Sequence, residues 1–427
     1  MEKKLLKRCR ILDVNNRRVI EGQSILIHNG RIEKVGKADG FAEAERELPR
    51  QAIWDVSNKL VMPGLIDCHV HLCVVRDPYE TDIVLENLKA SETLKVLYGA
   101  ANAKKTIEAG FTTVRDVGQG DNLALRDAIE RGAIVGPRIV ACGWLGMTGG
   151  HQERMSSEWV YNVPMRSNEV GVDGPWEVRK RVRELVRRGV DCIKTYTTGE
   201  GYYRHPWYRF WLDQRNFTLE ELKALVDEAH AAGRKVIVHA FTDNVGVKSG
   251  IAAGVDSIEH GVYLEEEDVS VMREKGIFYT PTLAVGIKLF ETFSAKGMGK
   301  MWSVEEGYEK RYPEAHRSSF QRAHRNGIKI GVGSDTYRIL PHGENAFELE
   351  CMVKAGMSEM EAIVSATKVS SEALGLDHVI GSIEEGKLAD MLVVAQDPLR
   401  DISVLREKAN LKMIIKNGEI IRRNGLE

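Results

Sequence analysis

Between Gly110 and Gly327 the chain repeats one unit: a helix-like segment, a glycine, then a short run of strand-forming residues. The glycines are Gly110, Gly136, Gly189, Gly233, Gly254, Gly276 and Gly327. They are followed in turn by FTTVRDVG, PRIVACG, VDCIKTY, RKVIVHAF, VDSIEHG, IFYTPTLAV and IKIGVGSD. Glycine suits the left-handed position that closes a helix, so each junction reads as a helix-to-strand turn. The run from Leu60 to His71 adds a strand before them, with Pro63 and Gly64 setting it off from what precedes. Strands and helices alternating eight times over roughly 300 residues predict an α/β fold, a parallel (β/α)8 TIM barrel. A doubly wound open sheet is the alternative, but no glycine-rich phosphate turn follows the first strand.

Two helix starts are marked by capping boxes, Thr218 with Glu221 and Ser358 with Glu361. Outside the repeat the pattern changes. Residues 10–36 and 380–423 alternate apolar and polar, and each arm carries an Asn-Gly hairpin turn, at Asn29-Gly30 and Asn417-Gly418. The arms predict a small β-sandwich domain built from both termini, residues 1–58 plus 378–427, around a barrel at 59–377.

Composition narrows the partners. Lysine and arginine total 60 against 62 acids, a net charge of -2, which argues against nucleic acid or an anionic membrane as partner. The most basic run, Arg179 to Arg188, has Val182, Leu185 and Val186 at helical spacing, so its charges read as a solvated face. Six cysteines without C-x-x-C spacing predict reduced core residues. No signal-peptide pattern and no apolar run of membrane length is seen, which predicts a cytoplasmic protein.

In a parallel barrel the strand C-termini gather at one mouth, where active sites lie. The first strand ends in His69 and His71, whose side chains share a face because strand residues alternate. The fourth carries Lys194, the fifth ends in His239, the sixth in His260 and the eighth in Asp335. Taken singly, His239 and His260 also suit hydrogen-bonded core histidines, and Lys194 a snorkelling side chain. Together, four imidazoles and a carboxylate suit zinc or a similar divalent ion with positions left open for water. A lysine beside such ions is explained if burial and metal charge depress its pKa. The neutral amine then reacts with carbon dioxide to give a carbamate able to bridge two metals.

The set PGLIDCHVH, Lys194 in CIKTYTTG, His239 in VIVHA, His260 in SIEHG and Asp335 in GSDT resembles the amidohydrolase superfamily over essentially the whole chain. The arms, with the run GSIEEGKLADMLVV, resemble its accessory sandwich. The resemblance implies a binuclear centre. In it His69, His71 and Asp335 hold one metal, His239 and His260 hold the other, and carboxylated Lys194 with a hydroxide bridges them. Asp335 is then also the catalytic acid and base. Within the superfamily the chain is most similar to the prolidase-like branch, which hydrolyses Xaa-Pro dipeptides or removes C-terminal residues from short or N-acyl peptides. MTGGH, Met147 to His151, is the segment that suggests it, with His151 as hydrogen-bond donor to the substrate oxyanion. The alternative for that segment is a glycine turn exposing a surface histidine.

Departing from the branch's short, glycine-rich loop, Gly199 to Asn216 reads GEGYYRHPWYRFWLDQRN. It suits a pocket wall that binds a substrate carboxylate through Arg204 or Tyr203, and equally a subunit contact. Tyr337 and Arg338, directly after Asp335, are the further specificity candidates. The family likeness also implies a homo-oligomer acting on a small molecule or short peptide. Three other functions compete. A cyclic amide hydrolase of imidazolonepropionase type uses the same metal logic. A deaminase is disfavoured by Thr242, where such enzymes place a Glu three residues after the strand-five histidine, and by Lys194. A metal-free scaffold is disfavoured because every ligand position is filled.

Overall fold

The computed structural model describes residues 3–75, 90–118, 120–148, 150–151, 171–199, 216–295 and 308–425. The strand-forming runs sort into two sheets. The first arm contributes β1 (Lys4–Asp13), β2 (Arg18–His28), β3 (Arg31–Lys37), β4 (Ile53–Asp55) and β5 (Leu60–Pro63). The repeat contributes β6 (Leu65–Val70), β7 (Phe111–Asp116), β8 (Arg138–Trp144), β9 (Cys192–Tyr196), β10 (Lys235–Ala240), β11 (Ser257–His260) and β12 (Phe278–Thr280). The second arm adds β13 (Met391–Val394), β14 (Leu411–Lys416) and β15 (Glu419–Arg423).

Strands β6 to β12 form one seven-stranded sheet in sequence order, each parallel to the next. The expected eighth strand, after Gly327, pairs only through isolated bridges, Ile330 to Tyr279 of β12 and Thr336 to Val70 of β6. Backbone bonds still reach it from both sides: Gly331 N donates to Tyr279 O, and Cys68 N to Val332 O. Side chains have taken the places of the missing ladder bonds. Val332 N donates to Ser370 Oγ, Ser365 Oγ donates to Ile330 O, and Ser334 N donates to an Asp67 carboxylate oxygen. The helical stretch expected after Ser358 passes through a π turn at Ser365–Val369, which begins at one of these serines and is followed directly by another, Ser370.

Six of the seven junction glycines are left-handed, from φ 68° at Gly233 to 90° at Gly189. Gly136 is not among them. A Cβ there would sit 2.5 Å from Ile129 Cδ1 and 3.0 Å from Ala103 Cβ, so close packing is what requires glycine. Both capping boxes are present, on the helices Leu219–Ala231 and Glu359–Val364. The basic run lies on the helix Gly174–Arg187, where Arg179 and Arg183 pair with Glu228 of the neighbouring helix.

The run expected as one strand from Leu60 to His71 is two. β5 pairs with β1 and β13, and after Gly64 the chain enters the barrel as β6. Both arms join in one continuous sheet, ordered β15-β14-β13-β5-β1-β2-β3 with β4 against β1. Alternation divides its two faces. Leu6, Cys9, Trp54, Met391, Val393 and Met413 pack together on one side. Leu12, Leu60, Met62, Leu392 and Val394 join the main core of the barrel on the other.

One sequence expectation is overturned. Cys142 and Cys192 form a disulfide, while Cys9, Cys68, Cys73 and Cys351 are free and buried. The two are 50 residues apart in the chain but are register partners on β8 and β9, with Cα atoms 4.7 Å apart. Sequence spacing carries no trace of that adjacency.

Candidate metal centre

The strand ends meet as the repeat predicts. His69 and His71 on the first barrel strand and Asp335 on the eighth segment bring three ligand atoms within 4.8 Å of one another. Asp335 Oδ1 lies 3.3 Å from His71 Nε2 and 3.8 Å from His69 Nε2. The His260 ring is 5.0 Å from that of His69 and 4.5 Å from that of His239. Lys194 is buried on β9, and its charge acts on His69, His260 and Asp335. The six residues expected as ligands therefore share one mouth.

Three ring orientations are fixed by a partner on Nδ1. His69 Nδ1 is 2.6 Å from Glu259 Oε2, His71 Nδ1 is 3.0 Å from Gly118 O, and His260 Nδ1 is 2.7 Å from Thr282 Oγ1. A histidine whose Nδ1 is engaged in this way offers Nε2 as a ligand. His239 is turned the other way, with Nε2 3.3 Å from Gly199 O. Imidazole nitrogens and a carboxylate converging in this manner are the donor set of a borderline divalent ion.

Backbone conformation makes the convergence possible. Glu259 and His260 are neighbours on β11, yet both reach His69, which strand alternation alone forbids. His260 has φ 67° and Asp335 φ 50°, left-handed values uncommon outside glycine. Thr282, which holds His260, has φ 55°. Strained positions of this kind cluster at functional sites.

The electrostatics favour the ligating forms of His69, His260 and Asp335. Burial, then the charge of Lys194, pushes His69 down to about 4, and burial with the neighbouring histidines holds His260 well below its ordinary range. Burial would raise the Asp335 carboxyl, but His69, the bonded His71 and Lys194 outweigh it and hold the group below the usual carboxylate range. His71 is raised, because Asp335 outweighs burial. Neutral imidazoles and an ionised carboxylate are the forms that ligate.

His151 is buried at the same mouth. Its ring stacks on Tyr196 at 4.3 Å and lies 4.4 Å from that of His239, while its backbone N–H donates to Asn216 Oδ1 at 3.0 Å. The Tyr337 ring is 5.9 Å from His71, and Arg338 is half-buried in the following turn. Tyr203 and Arg204 lie outside the described residues.

Reading strand ends alone missed the charges below them. Arg115, on β7, donates from NH2 to Glu259 Oε1 at 2.8 Å and from Nε to Cys68 O at 2.7 Å. Burial would raise Glu259, but Arg115 and His69 outweigh it and hold the carboxyl down to about 2. Asp67 accepts from His69 N, Ser334 N and Ser334 Oγ and from Asn345 Nδ2, tying the first strand to the segment that bears Asp335. The available signal was a charged residue inside a strand that the barrel must bury: Asp67, Arg115 and Glu259 each sit in one.

Comparison with known proteins places this geometry. The sequence profile of the amidohydrolase family matches residues 60–421. The ochratoxinase of Aspergillus niger is 30% identical over 431 residues, covering 96% of this chain and 86% of that protein. An imidazolonepropionase of Symbiobacterium thermophilum is 24% identical over 436 residues, covering 94% of this chain and 91% of that protein. A crystal structure of a Xaa-Pro dipeptidase with methionine bound in the active site superposes with a TM-score of 0.83 at 31% identity, covering 99% of this chain and 100% of that one.

Proposed function

Because this chain belongs to the amidohydrolase family, hydrolases acting on carbon–nitrogen bonds, we propose that it cleaves the amide bond of an Xaa-Pro dipeptide or releases the C-terminal residue of a short or N-acyl peptide. The observation that carries this reading is the meeting of His69, His71 and Asp335 with His151 at one barrel mouth. The likeness to the Xaa-Pro dipeptidase supports the substrate class.

The donor set fits two divalent ions, most simply zinc. His69, His71 and Asp335 would hold one, His239 and His260 the other, with carboxylated Lys194 between them. Ions held there lower the pKa of a water and polarise the scissile carbonyl. The remaining work falls to side chains. Asp335, the carboxylate beside His69 and His71, accepts the proton of the attacking water and delivers it to the leaving nitrogen. His151, fixed by Tyr196 and Asn216, donates a hydrogen bond to the carbonyl oxygen as charge develops on it. Tyr337, Arg338, Tyr203 and Arg204 are assigned to the substrate's side chain and carboxylate.

A cyclic amide hydrolase is the second reading, favoured by the likeness to imidazolonepropionase. Assaying the metal-loaded protein on Xaa-Pro dipeptides, N-acyl amino acids and cyclic amides separates the two. Turnover of the first two classes is expected, and activity confined to cyclic amides would transfer the assignment. Lys194→Ala is expected to lose metal and activity, with partial rescue by small carboxylic acids. Full activity in that variant would remove the bridging role.

A further inference from the structure

We propose that Glu259 is a positioning residue that decides which ring nitrogen of His69 faces the mouth and aligns the two halves of the centre with each other. The proposal rests on the reading of this mouth as a metal site. Its argument is one of donors and acceptors. Glu259 Oε1 accepts from Arg115 NH2 at 2.8 Å and from Ser257 Oγ at 2.6 Å. Oε2 is left facing His69 Nδ1 at 2.6 Å. Arg115 is itself anchored through Nε to the carbonyl of Cys68, the residue before His69, so the carboxylate cannot turn without breaking that chain of bonds. A carboxylate facing a guanidinium only accepts, so the proton at this contact sits on His69 Nδ1 and the Nε2 lone pair points toward Asp335 and His71. The next residue along the backbone is His260, assigned to the other ion. One buried carboxylate thereby sets the orientation of a ligand in the first half and is covalently joined to a ligand of the second.

Glu259→Gln separates this role from mere packing, because the amide has the carboxylate's shape. Arg115 still donates toward the Oε1 position, so the amide oxygen must sit there, even if Ser257 redirects its hydroxyl to Thr280 Oγ1 at 3.4 Å. The amide NH2 then faces His69 Nδ1 and donates to it. The ring proton moves to Nε2, where it blocks the direction an ion would occupy.

The test begins on metal-free protein labelled with 15N-histidine, using long-range 1H–15N correlation, with His69→Asn to assign the ring. Wild-type protein is expected to show His69 protonated at Nδ1, and Glu259→Gln to show it protonated at Nε2. Competition with a chelating dye is expected to show zinc bound about 10–100-fold more weakly by Glu259→Gln, with Glu259→Asp recovering part of the loss. A wild-type His69 protonated at Nε2 would overturn the proposal, as would an unchanged tautomer and zinc affinity in a folded Glu259→Gln. Should that variant not fold, the wild-type spectrum decides. A tautomer switch in a protein that binds no divalent ion would uphold the role of Glu259 and fail the metal reading instead.

Discussion

Beneath the barrel mouth Asp67, Arg115, Lys194 and Glu259 are all buried, whereas the terminal sheet encloses Leu6, Cys9, Trp54, Met391 and Met413. Among the described residues of the two arms, Asp390 is the one buried charge, and it faces Arg138 of β8 at 2.5 Å. Charges moved out of water are costly unless each finds a partner, so a polar interior contributes less to stability than an apolar one of equal volume. What it provides is direction. Each buried carboxylate in the barrel holds a backbone or a ring in one orientation, and the sheet holds the chain together.

The sharpest way to break this contrast is at Asp335. Asp335→Asn should lower kcat/KM on the best substrate by about 10²–10⁴-fold, as expected for removal of a general acid and base. Turnover near that of the wild type would mean that the mouth is not the site of reaction. The converse test lies in the sheet. Trp54→Ala should cost about 3–5 kcal/mol in urea unfolding and leave kcat of the folded protein unchanged. A matching fall in kcat would show that orientation at the mouth depends on the sheet's core.

A smaller effect would separate the regions by pH. Glu348, at the barrel end, accepts from Leu283 N and Ala284 N, yet burial outweighs these bonds and pushes its carboxyl up to about 8. Between the ordinary carboxylate range and that value the folded state keeps a proton the unfolded chain has lost. Its contribution to stability therefore falls as pH rises through this window. Glu348→Gln should remove up to about 1.4 kcal/mol per pH unit of that slope relative to wild type, read from urea midpoints between about pH 5 and about pH 8. An identical slope in both proteins would mean that Glu348 is ionised throughout.

The same contrast explains what could be read from the residues alone. The arms were legible because an amphipathic sheet writes its faces into alternation. Both Asn-Gly turns are left-handed at both positions, as the hairpin type requires. The repeat was legible because most of its glycines close helices. The eighth strand was less so, because several of its ladder bonds are replaced by Ser365, Ser370 and Asp67, which lie far away in sequence. His69, His71 and Asp335 stood out as chemistry at strand ends. Glu259 did not, because alternation turns it away from the face of His260, and the left-handed φ that undoes this is invisible in a sequence. The Cys142–Cys192 pair was hidden for a related reason: register between neighbouring strands is a property of the closed sheet.

The pairing of β5 with β13 joins Pro63 to Met391 and Leu60 to Val394 across most of the chain. During synthesis β5 can find β1 early, but its other edge stays open until β13 has been made. At typical ribosomal rates that interval is on the order of tens of seconds. Throughout it the nascent chain carries an apolar strand with one open edge just before the barrel begins at β6, a template for wrong partners. The strand that hands the chain over to the barrel is thus one whose pairing is completed only when most of the chain has been made.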